Sequence, residues 1–287
     1  MKLTALIPAY NDDYVLSFCL AAAVGHFDEI IVLDDASTDD TPDVAADFAR
    51  QHRNVRFLRH EGRQLGWVGA RNRLLAETDS DHLFWLDSDD VLCEFQAEML
   101  GQIPGGHPIV RLCLAEMWGD FYHTTKRLRH HDACHVYVNR KLCPDMIWTG
   151  GGMARLRPRA AVRATNGPGP LLFHIKGVKP DRRLVERQRI RPYLRRQDRP
   201  DRLDEFMRID DMTEKEIHAR AMRMLLHSKI DRLVPTYKVS DPYPEGKMCV
   251  PAPRRPDVIV DALPGRFEMV YEGAMAVDRI DHGQGDR

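Results

Sequence analysis

The chain has almost no net charge: 42 lysines and arginines face 43 aspartates and glutamates in 287 residues, a formal balance of -1. Without a global positive field it is not a general nucleic-acid binder, although a local basic face is compatible with that balance. Long apolar runs are missing as well. No stretch approaches the ~18 consecutive apolar residues of a membrane-spanning helix. The opening MKLTALIPAYN carries one lysine and then a run too short for a secretion signal, and it enters a polar turn where a cleavage site would stand. The six cysteines, Cys19, Cys93, Cys113, Cys134, Cys143 and Cys249, include no C-x-x-C pair. That scatter argues against a zinc site or a disulfide framework and for free thiols in a reducing compartment. The expectation is a cytoplasmic protein with no integral membrane segment and no nucleic-acid partner. No internal repeat is visible.

Against these absences stands one dense feature, HLFWLDSDD at residues 82–90. Leu83, Phe84, Trp85 and Leu86 form a short apolar run with strand propensity, and it stops at Asp87-Ser88-Asp89-Asp90. A core strand thus delivers three carboxylates to its carboxyl end, the edge where ligands bind in open α/β sheets. Acids packed so closely repel one another unless a cation sits among them. A hard divalent ion such as Mg²⁺ or Mn²⁺ suits oxygen ligands, and such an ion usually arrives with a phosphate or diphosphate. An isolated D-x-D-D reads equally as a solvated acidic turn, so the surrounding pattern has to decide.

That pattern alternates. Leu3 to Pro8 reads as a buried strand ending in Pro8-Ala9-Tyr10-Asn11, and Asn11-Asp12-Asp13 can cap a helix from about Tyr14 to Val24. A second strand, Glu29 to Leu33, stops at Asp34-Asp35, and Pro42 suits the first turn of a helix running to about Arg50. Val55 to Leu58 is a third strand. A glycine-bearing loop from Glu61 to Gly69 leads into a helix from Ala70 to Leu75, and the acidic strand is the fourth. Strand and helix in strict alternation predict an α/β fold with a mostly parallel central sheet flanked by helices. Later strands are expected at Ile109 to Met117, Val136 to Val138 and Leu171 to Ile175. From Lys179 to about Leu233 the pattern is helical and heavily charged, broken by Pro192 and Pro200. A proline-rich arm over 235–256 and a hairpin within Val258 to Tyr271 follow.

Four motifs stand in a fixed order: IPAYN, LDDASTDDTP, GWVGARN and LDSDD. Each falls at a strand's carboxyl end or a helix start, so all converge on one edge of the sheet. The ordered set resembles the family-2 glycosyltransferases of the GT-A fold, strongly over residues 3–90 and loosely over 91–178. The resemblance implies a nucleotide-sugar-binding and catalytic domain over 1–178; beyond its reach, the charged helical pattern predicts 179–287 as a helical, proline-containing extension packing on the acceptor side. It implies that Pro8, Ala9, Tyr10 and Asn11 hold the base and ribose. Asp35 would accept the base N3–H, a donor that uracil and thymine offer and cytosine does not. Arg71 would contact the base or the diphosphate, although an arginine there could instead pair with Asp34 or Asp35. Within the D-x-D, Asp89 would take Mg²⁺ or Mn²⁺, while Asp87, Ser88 and Asp90 would face the sugar nucleotide. Phe173-His174-Ile175-Lys176-Gly177 resembles the late histidine segment of metal-dependent members, which makes His174 a second metal ligand and Lys176 a diphosphate contact. A lone histidine in an apolar strand also reads as an ordinary core residue.

The resemblance fails at the catalytic base. Where many relatives place an acid after a Trp-x-Gly turn, this chain has Trp148-Thr149-Gly150-Gly151-Gly152-Met153-Ala154-Arg155-Leu156. Glu116, Asp120 and Asp145 are the alternative candidates, Asp120 foremost because it closes a predicted strand. An amine acceptor would need no strong base, whereas a hydroxyl does. Trp118 and Trp148 fit either an acceptor pocket or the core. The activity expected is transfer of a sugar from a UDP- or dTDP-sugar, with inversion, to a small or carrier-bound acceptor, or alternatively to a cell-surface polysaccharide. A nucleotidyltransferase would want a glycine-rich, lysine-containing loop after strand one, which IPAYNDD is not. An inactive scaffold that binds a partner through its arginine-rich helices is the reading from another class.

Overall fold

A computed structural model describes residues 2–92, 106–118, 123–125, 129–130, 136–150, 155–157, 164–177, 182–186, 212–229 and 233–235. The first stretch alternates as expected: β1 (Leu3–Ala9), α1 (Asp13–Ala23), β2 (Glu29–Asp35), α2 (Thr41–Gln51), β3 (Val55–His60), α3 (Gly66–Ala76) and β4 (His82–Trp85). There follow β5 (Asp90–Leu92), β6 (Ile109–Trp118), β7 (His123–Thr125), β8 (Arg129–His130), β9 (Val136–Asn139), β10 (Ile147–Thr149), β11 (Arg155–Arg157), β12 (Ala164–Gly177), α4 (Glu214–Lys229) and β13 (Leu233–Pro235). The chain divides into two compact units. The first comprises Met1–Ala115, Leu128–His174 and Arg195–Gln197, and the second the remainder.

The sheet of the first unit runs β6-β9-β4-β1-β2-β3. Strands β4, β1, β2 and β3 are mutually parallel, and β9 runs antiparallel to both β4 and β6. The parallel half is buried on both faces, as its nearly unbroken apolar strands require. Ala5, Ile7, Ile30, Val32 and Phe84 point to one face, where Leu16 and Leu20 of α1 and Ala45 of α2 cover them. Leu6, Ile31, Leu33, Leu83 and Trp85 point to the other, against Ala70 and Leu74 of α3. With α1 and α2 on one face and α3 on the other, the chain changes sides between β3 and β4. The sheet order therefore reverses between β1 and β4, the kind of switch point that opens a crevice beyond the carboxyl ends of the strands.

Two local features depart from the expected elements. Helix α3 begins at Gly66, one turn before Ala70. Gly66 sits at φ +70°, a left-handed conformation that costs an L-side chain about 1–2 kcal/mol, so glycine is what lets the loop enter the helix there. The late strand, expected over five residues, is the 14-residue β12. It pairs antiparallel with β5, placing His174 opposite Asp90 and Phe173 opposite Val91.

In the second unit β7 pairs antiparallel with β13. Helix α4 opens on a reciprocal cap: the Thr213 backbone N–H donates to Glu216 Oε2 at 2.8 Å while the Glu216 N–H donates to Thr213 Oγ1 at 3.3 Å. The hairpin expected within Val258 to Tyr271, and all of the proline-rich arm beyond Pro235, lie outside the described residues.

Candidate active site

The crevice between β1 and β4 is built by three loops that bond to one another. After β1, Asn11 adopts φ +49°, and its backbone N–H donates to Ser37 Oγ at 2.9 Å in the loop after β2. Its Oδ1 accepts the Thr38 N–H at 2.9 Å, and the next residue, Asp12, donates its N–H to Thr41 Oγ1 at 2.8 Å. Ser88, the middle residue of the acidic loop, donates its hydroxyl to Asp12 Oδ2 at 2.5 Å. Charge-assisted bonds of this kind are roughly twice as strong as neutral ones. Asn11 and Asp12 are thus braces of the loops. Tyr10 and Pro8 are partly exposed beside them, and Ala9 is buried at the end of β1.

The acids themselves are more enclosed than an acidic turn would be. Asp89 is 2% exposed and Asp90 0%, while the Asp87 side chain keeps 25% of its surface. The reason is β12, which covers the start of β5. Asp90 is held from both sides: Oδ2 accepts the Asp87 N–H at 2.8 Å, and Oδ1 lies 2.8 Å from His174 Nδ1. His174 Nδ1 is also 3.6 Å from Asp89 Oδ1. One ligand atom from each of Asp89, Asp90 and His174 falls within 4.8 Å of the others. Two carboxylate oxygens with one imidazole nitrogen are a donor set that suits a hard or borderline divalent cation, Mn²⁺ over Mg²⁺ on account of the nitrogen. The residues therefore fit the metal that the sequence implied. The sequence had given Asp90 to the donor sugar, and the structure groups it with Asp89 and His174. Behind this loop the Cys19 thiol, buried against the Asp87 carbonyl, is pushed up well above the ordinary thiol range, first by burial and then by the surrounding carboxylates Asp90, Asp89, Asp87 and Asp12.

Asp35 has an occupation the sequence did not reveal. Its two oxygens accept the backbone N–H groups of Leu65 and Gly66, each at 2.7 Å, and so satisfy the first free donors of α3. Neighbouring Asp34 is fully buried and accepts the Ser37 N–H at 3.3 Å through Oδ2, while Oδ1 has no partner among the described residues. Burial raises its carboxyl above the usual range, opposed by its hydrogen bonds to Ser37.

The family model described as Glycosyl transferase family 2 matches residues 4–97, the segment that carries β1 to β5 and every acid of this cluster except its histidine partner. Residues 4–97 are thus similar to the family-2 glycosyl transferases. Among curated relatives, the Poly(ribitol-phosphate) beta-glucosyltransferase of Bacillus spizizenii is 29% identical over 97 residues, 32% of this chain and 15% of that protein. Glycosyltransferase GlyG of Streptococcus pneumoniae is 29% identical over 103 residues, 35% of this chain and 34% of that protein. The match thus spans about a third or less of the relatives' lengths. Among solved structures, S. aureus TarS 1-349 in complex with UDP-GlcNAc is 12% identical with a TM-score of 0.47, covering 100% of this chain and 93% of that one.

Within the matched segment, Arg71 is buried and pairs with Asp87 Oδ1, not with Asp34 or Asp35 as the sequence had allowed. Asp145 is exposed in the turn before β10, Glu116 is buried on β6 in the second unit, and Asp120 lies outside the described residues. The side chains of Lys176 and Trp118 lie outside them too. Of the basic run that follows, Arg182 and Arg183 pair with Glu186 at 3.3 Å each. Trp148 is buried in the core face shared with Trp85. Among the described residues no helix is long and apolar enough to cross a membrane.

Proposed function

We propose that the protein is a metal-dependent glycosyltransferase that moves a sugar from a UDP- or dTDP-sugar to a nucleophilic acceptor with inversion. The observation that carries the reading is the Asp89–Asp90–His174 cluster at the switch-point crevice of a family-2 domain. A divalent cation held there supplies Lewis-acid stabilisation of the diphosphate leaving group. The chain's own residues do the rest. Asp89, Asp90 and His174 fix the position of that charge, and Asp87 presents a partly exposed carboxylate to the hydroxyls of the nucleotide. The loops after β1 and β2, laced through Asn11, Ser37 and Thr38, form a wall for the base. Because Asp90 and Asp89 are already desolvated, their electrostatic grip is stronger than that of a solvated acidic turn.

The Bacillus spizizenii relative, named for transfer to poly(ribitol-phosphate), favours a polyol-phosphate or other cell-surface glycan as acceptor over a small molecule. Calorimetric titration of UDP with and without Mn²⁺, followed by hydrolysis of a panel of UDP- and dTDP-sugars, tests the reading. Tight UDP uptake only with the cation, and release of UDP from one sugar nucleotide, is the expected result. Equal, weak binding with and without Mn²⁺ overturns it.

A further inference from the structure

Helix α3 grips one tryptophan twice. Asn72 Nδ2 donates to the Trp148 carbonyl at 3.0 Å, and Asn72 Oδ1 accepts the Trp148 N–H at 2.8 Å, so a side-chain amide pairs with both backbone groups as a neighbouring strand would. Its neighbour Arg71 lays its guanidinium over the Trp148 ring, 5.2 Å from the centroid. The indole is 1% exposed and is wedged edge-on against Trp85, with centroids 4.8 Å apart at 73°. The β10–β11 pair that carries Trp148 is separate from the main sheet, so this amide supplies the two backbone bonds that dock Trp148 onto α3.

The other side of the guanidinium faces the acids. Arg71 Nη2 donates to Asp87 Oδ1, Nη1 donates to the Trp67 carbonyl at 3.3 Å, and Nε has no partner among the described residues. An arginine side chain only 5% exposed and capped by an indole has nowhere to swing. It is placed to act on the nucleotide through the carboxylate it orients. We propose that Asn72 and Trp148 are positioning residues for the nucleoside diphosphate. They hold the Arg71 guanidinium in one orientation, and Arg71 in turn presents Asp87 in a single rotamer. The inference rests on the reading of the crevice as a nucleoside-diphosphate site and assigns Trp148 to the donor side of it.

Titration of the full chain with UDP in the presence of Mn²⁺ tests this, using Asn72→Ala, Trp148→Leu and Trp148→Phe, each alone and combined with Asp87→Asn. Removing either clamp is expected to weaken UDP binding roughly five- to thirtyfold, because one cation–π or networked contact is lost. Trp148→Phe, which keeps a ring face, is expected to recover to within about threefold of the native chain. On the Asp87→Asn background the additional loss from Asn72→Ala is expected to shrink below about twofold, since residues acting through one another do not add. Equal losses on both backgrounds, or none on the native one, overturn the proposal. If Asn72→Ala fails to fold, Asn72→Asp retains the acceptor for the Trp148 N–H and is read in the same way. A native chain that takes up no nucleotide removes the functional reading and the clamp together. Undiminished binding by Asn72→Ala removes the clamp alone.

Discussion

Replacing Asp35 with asparagine separates two jobs that one carboxylate could hold. In the native chain both oxygens accept backbone N–H groups at the start of α3, at 2.7 Å each, with the residue 5% exposed. In Asp35→Asn one oxygen becomes an NH₂ group that faces a backbone donor. The lost charge-assisted hydrogen bond is worth about 1.5–3 kcal/mol, and the lost negative charge at a helix N-terminus adds roughly 0.3–1 kcal/mol. The expected cost is therefore on the order of 2–4 kcal/mol, a large part of the ~5–15 kcal/mol that holds an ordinary domain together. Urea unfolding followed by far-UV circular dichroism measures it as a lower midpoint at constant slope. A loss below about 0.5 kcal/mol, the range of an ordinary surface substitution, refutes the capping argument. Binding gives the second readout. If Asp35 also accepts the base N3–H, Asp35→Asn erodes the preference for UDP over CDP, because its one remaining acceptor oxygen cannot serve helix and base together. An unchanged preference beside a large stability loss assigns Asp35 to the helix alone.

Three further outcomes are expected. Gly66→Ala forces a Cβ into the φ +70° conformation at the same helix start and is expected to cost about 1–2 kcal/mol in the same urea experiment. His174→Ala removes the imidazole that faces the fully buried Asp90 at 2.8 Å. Without metal it is expected to cost about 1.5–3 kcal/mol, and Mn²⁺ affinity, read by calorimetry, is expected to fall at least ~10-fold. Cys19 gives a pH signature. Its thiol keeps its proton in the folded state above 9.0, where the unfolded chain loses it, so the folded state binds more protons in that range. Its contribution is intact below 9.0 and fades as pH rises above it, so thermal stability is expected to decline on the alkaline side and Cys19→Ala to flatten that decline. A Cys19→Ala chain with the same alkaline slope as the native one contradicts the assignment.

The parts of this molecule that local pattern controls were legible in its sequence. Strands β1 to β4 alternate with three helices because their apolar residues cover both faces, and that signal lies in short windows such as Ile30-Ile31-Val32-Leu33. The acidic loop could be seen as a site because three carboxylates crowd the end of one strand. What could not be read were contacts between segments far apart in the chain. Nothing near Asp35 announces that its partners are Leu65 and Gly66, since a backbone N–H leaves no trace in residue identity. Nothing local to Arg71 chooses Asp87 over Asp34 or Asp35 as its partner, because all three acids are plausible until the sheet order is known. Asn72 closes the GWVGARN motif, but its bonds to Trp148 depend on where β10 docks. The burial of Asp90 likewise depends on β12, whose length the proline and glycine residues within it conceal.

The pairing of β12 with β5 also orders events in time. His174 meets Asp90 across 84 positions of sequence, so the nitrogen corner of the proposed cation site exists only after that long loop has closed. Contacts of such separation form slowly, after the local β–α units. A nascent chain that has emerged only as far as β5 holds its acidic cluster without the imidazole, and the full Asp89–Asp90–His174 grouping arrives only once β12 has paired with β5.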